Sequence, residues 1–166
     1  GASLGPELDR PLRAQPPGAV FEISPASRGI ARALGERFAA TGGALLAIDY
    51  GHDGGFGDTL QALRRHAFDD PLAHPGEADL TAHVDFAALA EAALQAGAHV
   101  EPLETQGDFL LRHGLLERAG RLGAGRDAAT QEAIRAAVER LAAPQAMGQL
   151  FKVLTVTGGG RREAKG

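Results

Sequence analysis

The apolar run ALLAI at residues 44–48 constrains the fold of this chain more than any other segment. A strand that is apolar on both sides needs cover on both faces, as in a parallel sheet between two layers of helices. A helix precedes the run, with Ser24 expected as its N-cap, Pro25 as its first residue and Gly42 as its C-terminal stop. The sequence therefore predicts an α/β fold.

Helices and strands are expected to alternate along the rest of the chain. The expected helices are 59–66 after an Asp58 cap, 86–97 after an Asp85 cap, 107–122, and 127–143 after an Asp127 cap. The expected strands are 98–103 and 149–157, with a short one at most at 19–23. Because a strand as apolar as 44–48 normally has a neighbour on each side, this sheet is predicted to have an open edge that another element covers.

Polar and apolar residues alternate strictly along GEADLTAHVDF, residues 76–86. In a strand, this pattern places five polar side chains in one row and the apolar ones on the other side. The polar residues are Glu77, Asp79, Thr81, His83 and Asp85. The row is either a solvated face or the wall of a site, and the spacing alone favours a strand followed by a helix cap.

Composition excludes several classes of protein. The chain has 166 residues, enough for one domain with a core, and its 44% hydrophobic and 23% charged residues are typical of a soluble globular protein. It contains no cysteine, which excludes disulfides, thiolate metal sites and a cysteine nucleophile. No apolar run is long enough to span a bilayer, no secretory signal is visible, and the net charge of -4 argues against nucleic-acid binding.

Negative charge is concentrated between Asp49 and Asp85, where eight acids face two bases, Arg64 and Arg65. Such a segment favours a cationic partner, although a solvated loop region gives the same composition. Within it, DYGHDGGFGD (49–58) follows the apolar strand, and ligands of open α/β sheets bind outside the carboxyl ends of strands. Its four glycines form neither a dinucleotide motif nor a phosphate loop.

Five residues of the acidic segment are candidates for chemistry, each with a structural alternative. Asp58 and Asp85 are adequately explained as helix caps, His83 as a structural hydrogen-bonding residue, and Tyr50 as a residue that packs against the preceding helix. A metal site formed by His83 and Asp85 with His52 or His66 lacks any tight ligand spacing, so no metal is expected. The candidates are Asp49, Tyr50, Asp58, His83 and Asp85.

Four segments resemble the MidA family of S-adenosylmethionine-dependent methyltransferases, whose mitochondrial member is a complex I assembly factor and protein arginine methyltransferase. They read GGALLAIDYG, GDTLQALRRHAFDDPLAHPGEADLTAHVDFAALA, TQGDFLLRHGLLERA and MGQLFKVLTVT. The similarity runs from about Gly18 to Thr157, and the pairing of GDTLQA with PGEADLTAHVDF is unusual enough to be specific.

The resemblance implies the C-terminal half of a class I, Rossmann-like methyltransferase sheet with helices on both faces. Strand 44–48 would be its fifth strand, and 98–103 and 150–156 its closing antiparallel pair. In the family, a preceding half supplies the glycine-rich loop and the ribose-binding acid that hold S-adenosylmethionine, so the cofactor-binding residues are expected upstream. Residues 1–18 are then a linker or a remnant of that half, 19–157 the C-terminal part of the methyltransferase domain, and 158–166 a disordered tail.

The resemblance also implies partners and a compartment. The expected partners are a protein substrate with a target arginine and the upstream half of the same fold, with self-association possible and neither nucleic acid nor membrane involved. The location is expected to be cytoplasmic, or the mitochondrial matrix in a eukaryote. Methyl transfer to a guanidinium needs carboxylates that hold it and a group that receives its proton, which the acidic segment offers. The alternative is a non-enzymatic interaction module that lacks the cofactor-binding half.

Overall fold

The computed structural model describes residues 15–159. They form two compact units: a large unit of residues 25–53 and 84–159, and a small unit of residues 15–24 and 54–83. The expected segments 1–18 and 158–166 lie largely outside the described residues. The tail was predicted to begin at residue 158, but Gly158 is the last residue of the final strand.

The large unit is a mixed sheet flanked by helices. Its elements are α1 (Pro25–Thr41), β1 (Gly43–His52), β5 (Val84–Asp85), α2 (Phe86–Gln95), β6 (His99–Val100), β7 (Glu104–Thr105), α3 (Gln106–Arg112), α4 (Leu115–Gly123), α5 (Ala128–Ala142), a π-helical turn (Pro144–Gly148) and β8 (Phe151–Gly158). The small unit contains β2 (Gln61–Arg64), β3 (Ala67–Asp69) and β4 (Asp79–Thr81).

β8 lies at the centre of the large sheet, whose strand order is β5-β1-β8-β6 with β7 also paired to β8. It runs antiparallel to β1 from Gly43 opposite Gly158 to Tyr50 opposite Phe151. On its other edge it pairs antiparallel with β6 and β7. The prediction of a closing antiparallel pair is confirmed. Of the predicted strand 98–103, however, only His99–Val100 forms β6, and β7 follows at Glu104–Thr105 beyond its predicted end.

Within residues 15–159, β1 is paired along Gly43–Tyr50 on one edge alone. Its second edge pairs only at its carboxyl end, where Gly51 and His52 lie parallel to β5. The open edge predicted from the apolar run is therefore present. The run was expected to be covered on both faces, but within the described chain only the face with Leu45 and Ala47 packs against the core. On the other face, Leu46 and Ile48 are 48% and 44% exposed.

The core of the large unit lies between one face of the sheet and helices α1 and α2. Phe38 of α1, Phe86 and Ala93 of α2, and Leu154 and Val156 of β8 form its buried centre. Val153 alternates with Leu154, so it faces the other side of the sheet, where it is also buried, and α3 packs against β8. The predicted α/β arrangement is thus confirmed.

Local capping explains where the helices begin and end. The Asp85 carboxylate accepts a hydrogen bond from the Ala88 N–H at 3.0 Å, and the Asp127 carboxylate accepts one from the Thr130 N–H at 2.9 Å. Gly42 follows α1 with a φ of 74°, as expected for a glycine that ends a helix. The helix expected at 107–122 is divided instead, because Gly114 adopts a φ of 83° between α3 and α4.

The small unit differs from the predicted secondary structure more than any other part of the described chain. Residues 59–66 were expected to be a helix capped by Asp58, but β2 and β3 form a hairpin here. Arg65 and His66 both have positive φ, 52° and 64°, as a two-residue hairpin turn requires. β2 also pairs with the distant β4, and this long-range pairing overrides the local helical spacing.

Two further elements differ from the expectations. Residues 19–23 form no strand. The alternating segment 76–86 is divided between the two sheets, because Asp79–Thr81 pairs within the small unit and Val84–Asp85 within the large one. No helix in residues 15–159 is both long and apolar enough to cross a membrane.

Candidate functional site

The carboxyl end of β1 is held against β5 by an unusually close backbone approach. Gly51 is buried opposite Val84, and a Cβ added to Gly51 would lie 2.3 Å from the Val84 carbonyl oxygen. Only glycine permits this contact. Because Asp85 follows Val84 and pairs with His52, the approach fixes the start of α2 beside the end of β1.

Asp85 has a well-defined structural role at this position. It is half-buried, and its Oδ1 atom accepts the Ala88 N–H as the N-cap of α2. The capping interpretation of Asp85 is thereby confirmed. The cap uses Oδ1, one of the two acceptor oxygens of the carboxylate.

Asp49 and Tyr50 point to opposite faces of the sheet because they are neighbours in one strand. The exposed Asp49 carboxylate accepts the Tyr50 N–H at 2.8 Å, and Asp49 lies opposite Lys152. The Tyr50 ring packs edge-on against Phe151, with the ring centroids 5.8 Å apart. Tyr50 thus packs against a residue of β8, whereas the preceding helix was its expected partner. Asp49 and Tyr50 do not form one wall.

Asp58 and His83 lie in the small unit, around Thr59. The Thr59 hydroxyl accepts a hydrogen bond from the His83 N–H at 2.9 Å, which ties the segment before β2 to the segment after β4. Asp58 is exposed, and its predicted capping role is wrong because β2, instead of a helix, follows it. Its carboxylate is therefore not explained as a helix cap.

Glu22 organises this part of the small unit and was not among the predicted site residues. Its carboxylate accepts the N–H groups of Thr59 at 2.9 Å and Leu60 at 3.1 Å, and it also accepts the Thr59 hydroxyl. Three hydrogen bonds to one carboxylate fix the loop that carries Asp58. In the sequence, Glu22 lies in the segment FEISP and Thr59 in the segment GDT, 37 residues later. These two short segments are the sequence signal that could have indicated the contact.

The described residues form no metal site. Nowhere in residues 15–159 do three or more His, Asp or Glu side chains group as ligands for an ion. His66, one of the ligands considered, lies at the exposed turn between β2 and β3.

An apolar groove of about 250 Å³ opens on the face of the sheet that α1 and α2 cover. Its lining includes Ser27, Ile30 and Leu34 of α1, Leu45 and Ala47 of β1, and Leu89 of α2. S-adenosylmethionine needs hydrogen bonds to its ribose and its amino-acid end, and this apolar lining does not fit those needs. The groove suits packing against another apolar element.

The two resolved pKa shifts have local causes. The pKa of Arg112 is raised by its hydrogen bonds to the Glu104 carboxylate, whose oxygens lie 2.6 and 3.1 Å from the guanidinium nitrogens. The pKa of Asp127 is lowered because the backbone N–H and then the hydroxyl of Thr130 donate to its carboxylate. Asp127 thereby caps the start of α5, whereas the Glu104 pair ties Arg112, the last residue of α3, to β7.

Comparison with known proteins identifies relatives across most of the chain. Residues 3–103 match the model of a family described as "Putative S-adenosyl-L-methionine-dependent methyltransferase". The mitochondrial protein arginine methyltransferase NDUFAF7 of Rattus norvegicus is 39% identical over 137 residues, and its Drosophila melanogaster homologue is 41% identical over 124. The aligned parts cover 78% and 74% of this chain but 30% and 28% of those proteins, so the chain spans under a third of their length.

Solved structures agree with the sequence relatives. A Burkholderia thailandensis protein crystallised with S-adenosyl-homocysteine is 31% identical to the chain, with a TM-score of 0.71. The superposition covers 82% of this chain and 37% of that protein. A second structure from the same organism gives a TM-score of 0.73 at 31% identity.

Proposed function

The chain belongs to the MidA-type family of S-adenosylmethionine-dependent methyltransferases, and from that premise we propose that it is the C-terminal part of a protein arginine methyltransferase. Residues 19–157 would complete a catalytic domain whose upstream part binds the cofactor. The relatives named as arginine methyltransferases support arginine as the target. Their mitochondrial names support the matrix as the compartment in a eukaryote.

The open edge of β1 is the observation that carries this proposal. The sheet is closed on one side, where β8 runs antiparallel between β1 and the short strands β6 and β7. On the other side, β1 offers unpaired backbone groups along Gly43–Tyr50 within the described chain, with an apolar groove on one face and Leu46 and Ile48 on the other. An edge this apolar needs a neighbouring strand with helices beside it.

S-adenosylmethionine would be held by that upstream part, where it would supply the methyl group. The residues of this chain would hold and orient the acceptor. A guanidinium stays protonated at neutral pH and binds carboxylates through paired hydrogen bonds. Asp58 is the strongest candidate, because it is exposed and caps no helix. Further candidates are Asp49 near the carboxyl end of β1, Asp85 at the end of β5, and His83. Of these, His83 would accept the proton.

Calorimetry tests the division of labour between the two parts. We expect no appreciable binding of S-adenosylmethionine to the 166-residue chain, and one-to-one binding to the protein that includes the upstream part. Micromolar binding to the chain alone would contradict the assignment of the halves. An absence of binding to the longer protein would favour the non-enzymatic interaction module instead.

Labelled methyl groups test the target. Methylarginine is expected in acid hydrolysates of the acceptor proteins, whereas label on another residue type would contradict the arginine assignment.

Charge-removing variants then test the residues. Asp58→Asn in the longer protein is expected to lower the methylation rate tenfold or more, equivalent to about 1.4 kcal/mol of barrier. Asp85→Asn retains a capping oxygen, so any fall in rate without a loss of melting temperature indicates a role beyond capping. Asp70→Asn is the matched control. Asp70 is an exposed acid of the small unit, and its carboxylate accepts a hydrogen bond from the Leu72 N–H at 2.8 Å. Equal rates in all three variants would remove the carboxylates from the mechanism.

A further inference from the structure

The three-stranded sheet of the small unit has two unequal faces. On one face, Ala62 is only 1% exposed, and the segment after β3 is tied back to that face by two ion pairs. His74 contacts the Asp69 carboxylate at 2.8 Å, and Arg64 donates to Glu77 at 2.7 Å. The segment after β3 therefore covers this face around Ala62, whereas Leu80 on the same face stays 59% exposed.

The opposite face carries one row of three side chains across the strands. Leu63 of β2 lies opposite Phe68 of β3 and also opposite Asp79 of β4, so all three project from the same side. Phe68 is 78% exposed, and Asp79 is exposed as well. An exposed aromatic ring and an exposed carboxylate thus flank the half-buried Leu63 in one strip, here called the open row.

The charge of the small unit indicates what the open row binds. Its described residues include six acids and two bases. One of the two bases, Arg64, is already paired with Glu77. A negative surface of this kind attracts cations and disfavours acidic partners. An exposed phenyl ring also binds a guanidinium over its face, and a carboxylate binds it through charge-assisted hydrogen bonds.

We propose that the open row of Phe68, Leu63 and Asp79 docks a basic, arginine-bearing segment of the substrate protein. This inference rests on the proposed function, whose substrate class it narrows. Neighbouring strands lie about 4.8 Å apart, so Phe68 and Asp79 are separated by roughly 10 Å, or about three residues of extended chain. Only every second side chain of an extended peptide faces the row. The row therefore fits two arginines four positions apart with an apolar residue midway between them over Leu63, because the long arginine side chains can reach inward to Phe68 and Asp79.

The segment that carries the open row is joined to the large unit at both of its ends. The chain leaves the large unit after Asp53 and returns at Val84, and Val84 pairs with Gly51 near the end of β1. Both ends of the segment that carries the open row are thus covalently continuous with the strand ends where Asp49 and Asp85 lie.

The test uses the protein that includes the upstream part and a synthetic peptide with two arginines four positions apart and a leucine midway between them. Phe68→Ser is expected to weaken peptide binding roughly fivefold to tenfold. Asp79→Asn is expected to weaken it roughly threefold, because an exposed ion pair contributes little. Leu72→Ser is the matched control, because Leu72 is 85% exposed in the same unit but lies outside the row. The affinity of this variant for the peptide should equal that of the parent protein.

Fluorescence anisotropy measures this binding without cofactor or turnover, so the outcome is independent of catalysis. Weakened binding in both row variants, together with a salt-dependent affinity, supports the docking even if no methyl transfer is found. Unchanged binding overturns it even if arginine methylation is confirmed. Equal binding of a peptide with norleucine in place of both arginines would also overturn it, because the row would then be an apolar contact for a second copy or the upstream part.

Discussion

β1 and β8 are the two most apolar strands of the large unit, and they are buried to different degrees. They pair with each other over eight positions. In β8, Val153, Leu154 and Val156 are at most 2% exposed, whereas Leu46 and Ile48 of β1 remain nearly half exposed. The cause is position, since β8 has strands on both edges and β1 has one along most of its length. Within the described residues, the difference identifies β1 as the exposed edge of the sheet.

A pair of leucine truncations would test this difference most strongly. In the 166-residue chain, Leu154→Ala should lower the free energy of unfolding by about 2–5 kcal/mol, because it leaves a cavity in the core. Leu46→Ala should lower it by about 1 kcal/mol or less, because Leu46 is already half exposed. Urea unfolding measures both values.

The same pair of variants in the longer protein tests whether the edge is covered. There, Leu46→Ala should become several-fold more costly, because the upstream part buries that side chain. If Leu46→Ala is equally cheap in both proteins, the open edge of β1 is a permanent surface.

Gly51 marks the one position where β1 is buried and its second edge is paired. Gly51→Ala should destabilise the chain by about 1–3 kcal/mol, since the new Cβ meets the Val84 carbonyl and the Phe86 ring. Gly29→Ala is the control, because Gly29 lies in α1 with no atom near the added Cβ, and it should stabilise by about 0.4–1 kcal/mol. Thermal melts of both variants give the comparison. A harmless Gly51→Ala would mean that β5 does not pack as described.

A charge on the open edge should change how the chain associates. An uncovered apolar edge favours pairing between copies, and lysine on such an edge prevents it. Ile48→Lys should weaken self-association of the 166-residue chain at least tenfold, about 1.4 kcal/mol. Leu111→Lys is the control, because Leu111 in α3 is also 44% exposed but lies away from the edge. Sedimentation velocity measures the association, and a parent chain that stays monomeric at high concentration would contradict the prediction.

The smallest effect is expected at Asp127, which caps α5 outside both strands and so provides a baseline. The pKa of Asp127 is lowered in the folded chain, so its contribution to stability is present above the ordinary value of 3.8 and is lost as pH falls through the folded pKa. Asp127→Asn should therefore have a slightly lower melting temperature than the parent at pH 7. The difference between the two melting temperatures should disappear once the pH falls below the folded pKa of Asp127. A difference that stays constant with pH would exclude the carboxylate as its source.

Local sequence signals determined most of the helices. Asp85 and Asp127 were expected as N-caps and both accept the predicted backbone hydrogen bonds. Gly42 ends α1 as expected. These predictions depend on residues within one turn of each other, so the chemistry of a short segment is sufficient. The apolar run at 44–48 also predicted a strand with an open edge, because its composition demands more cover than the neighbouring sequence offers.

Only the tertiary structure decided how the acidic segment is arranged. Residues 59–66 have helical spacing, yet β2 pairs with β4, which follows it along the chain by more than a dozen residues. Asp49 and Tyr50 are adjacent in sequence and point to opposite faces. Glu22 lies 37 residues before Thr59, yet its carboxylate accepts two hydrogen bonds from Thr59 and one from Leu60. Strand pairing and carboxylate contacts join distant residues, and their free energy depends on which partner is present, which a local pattern does not encode.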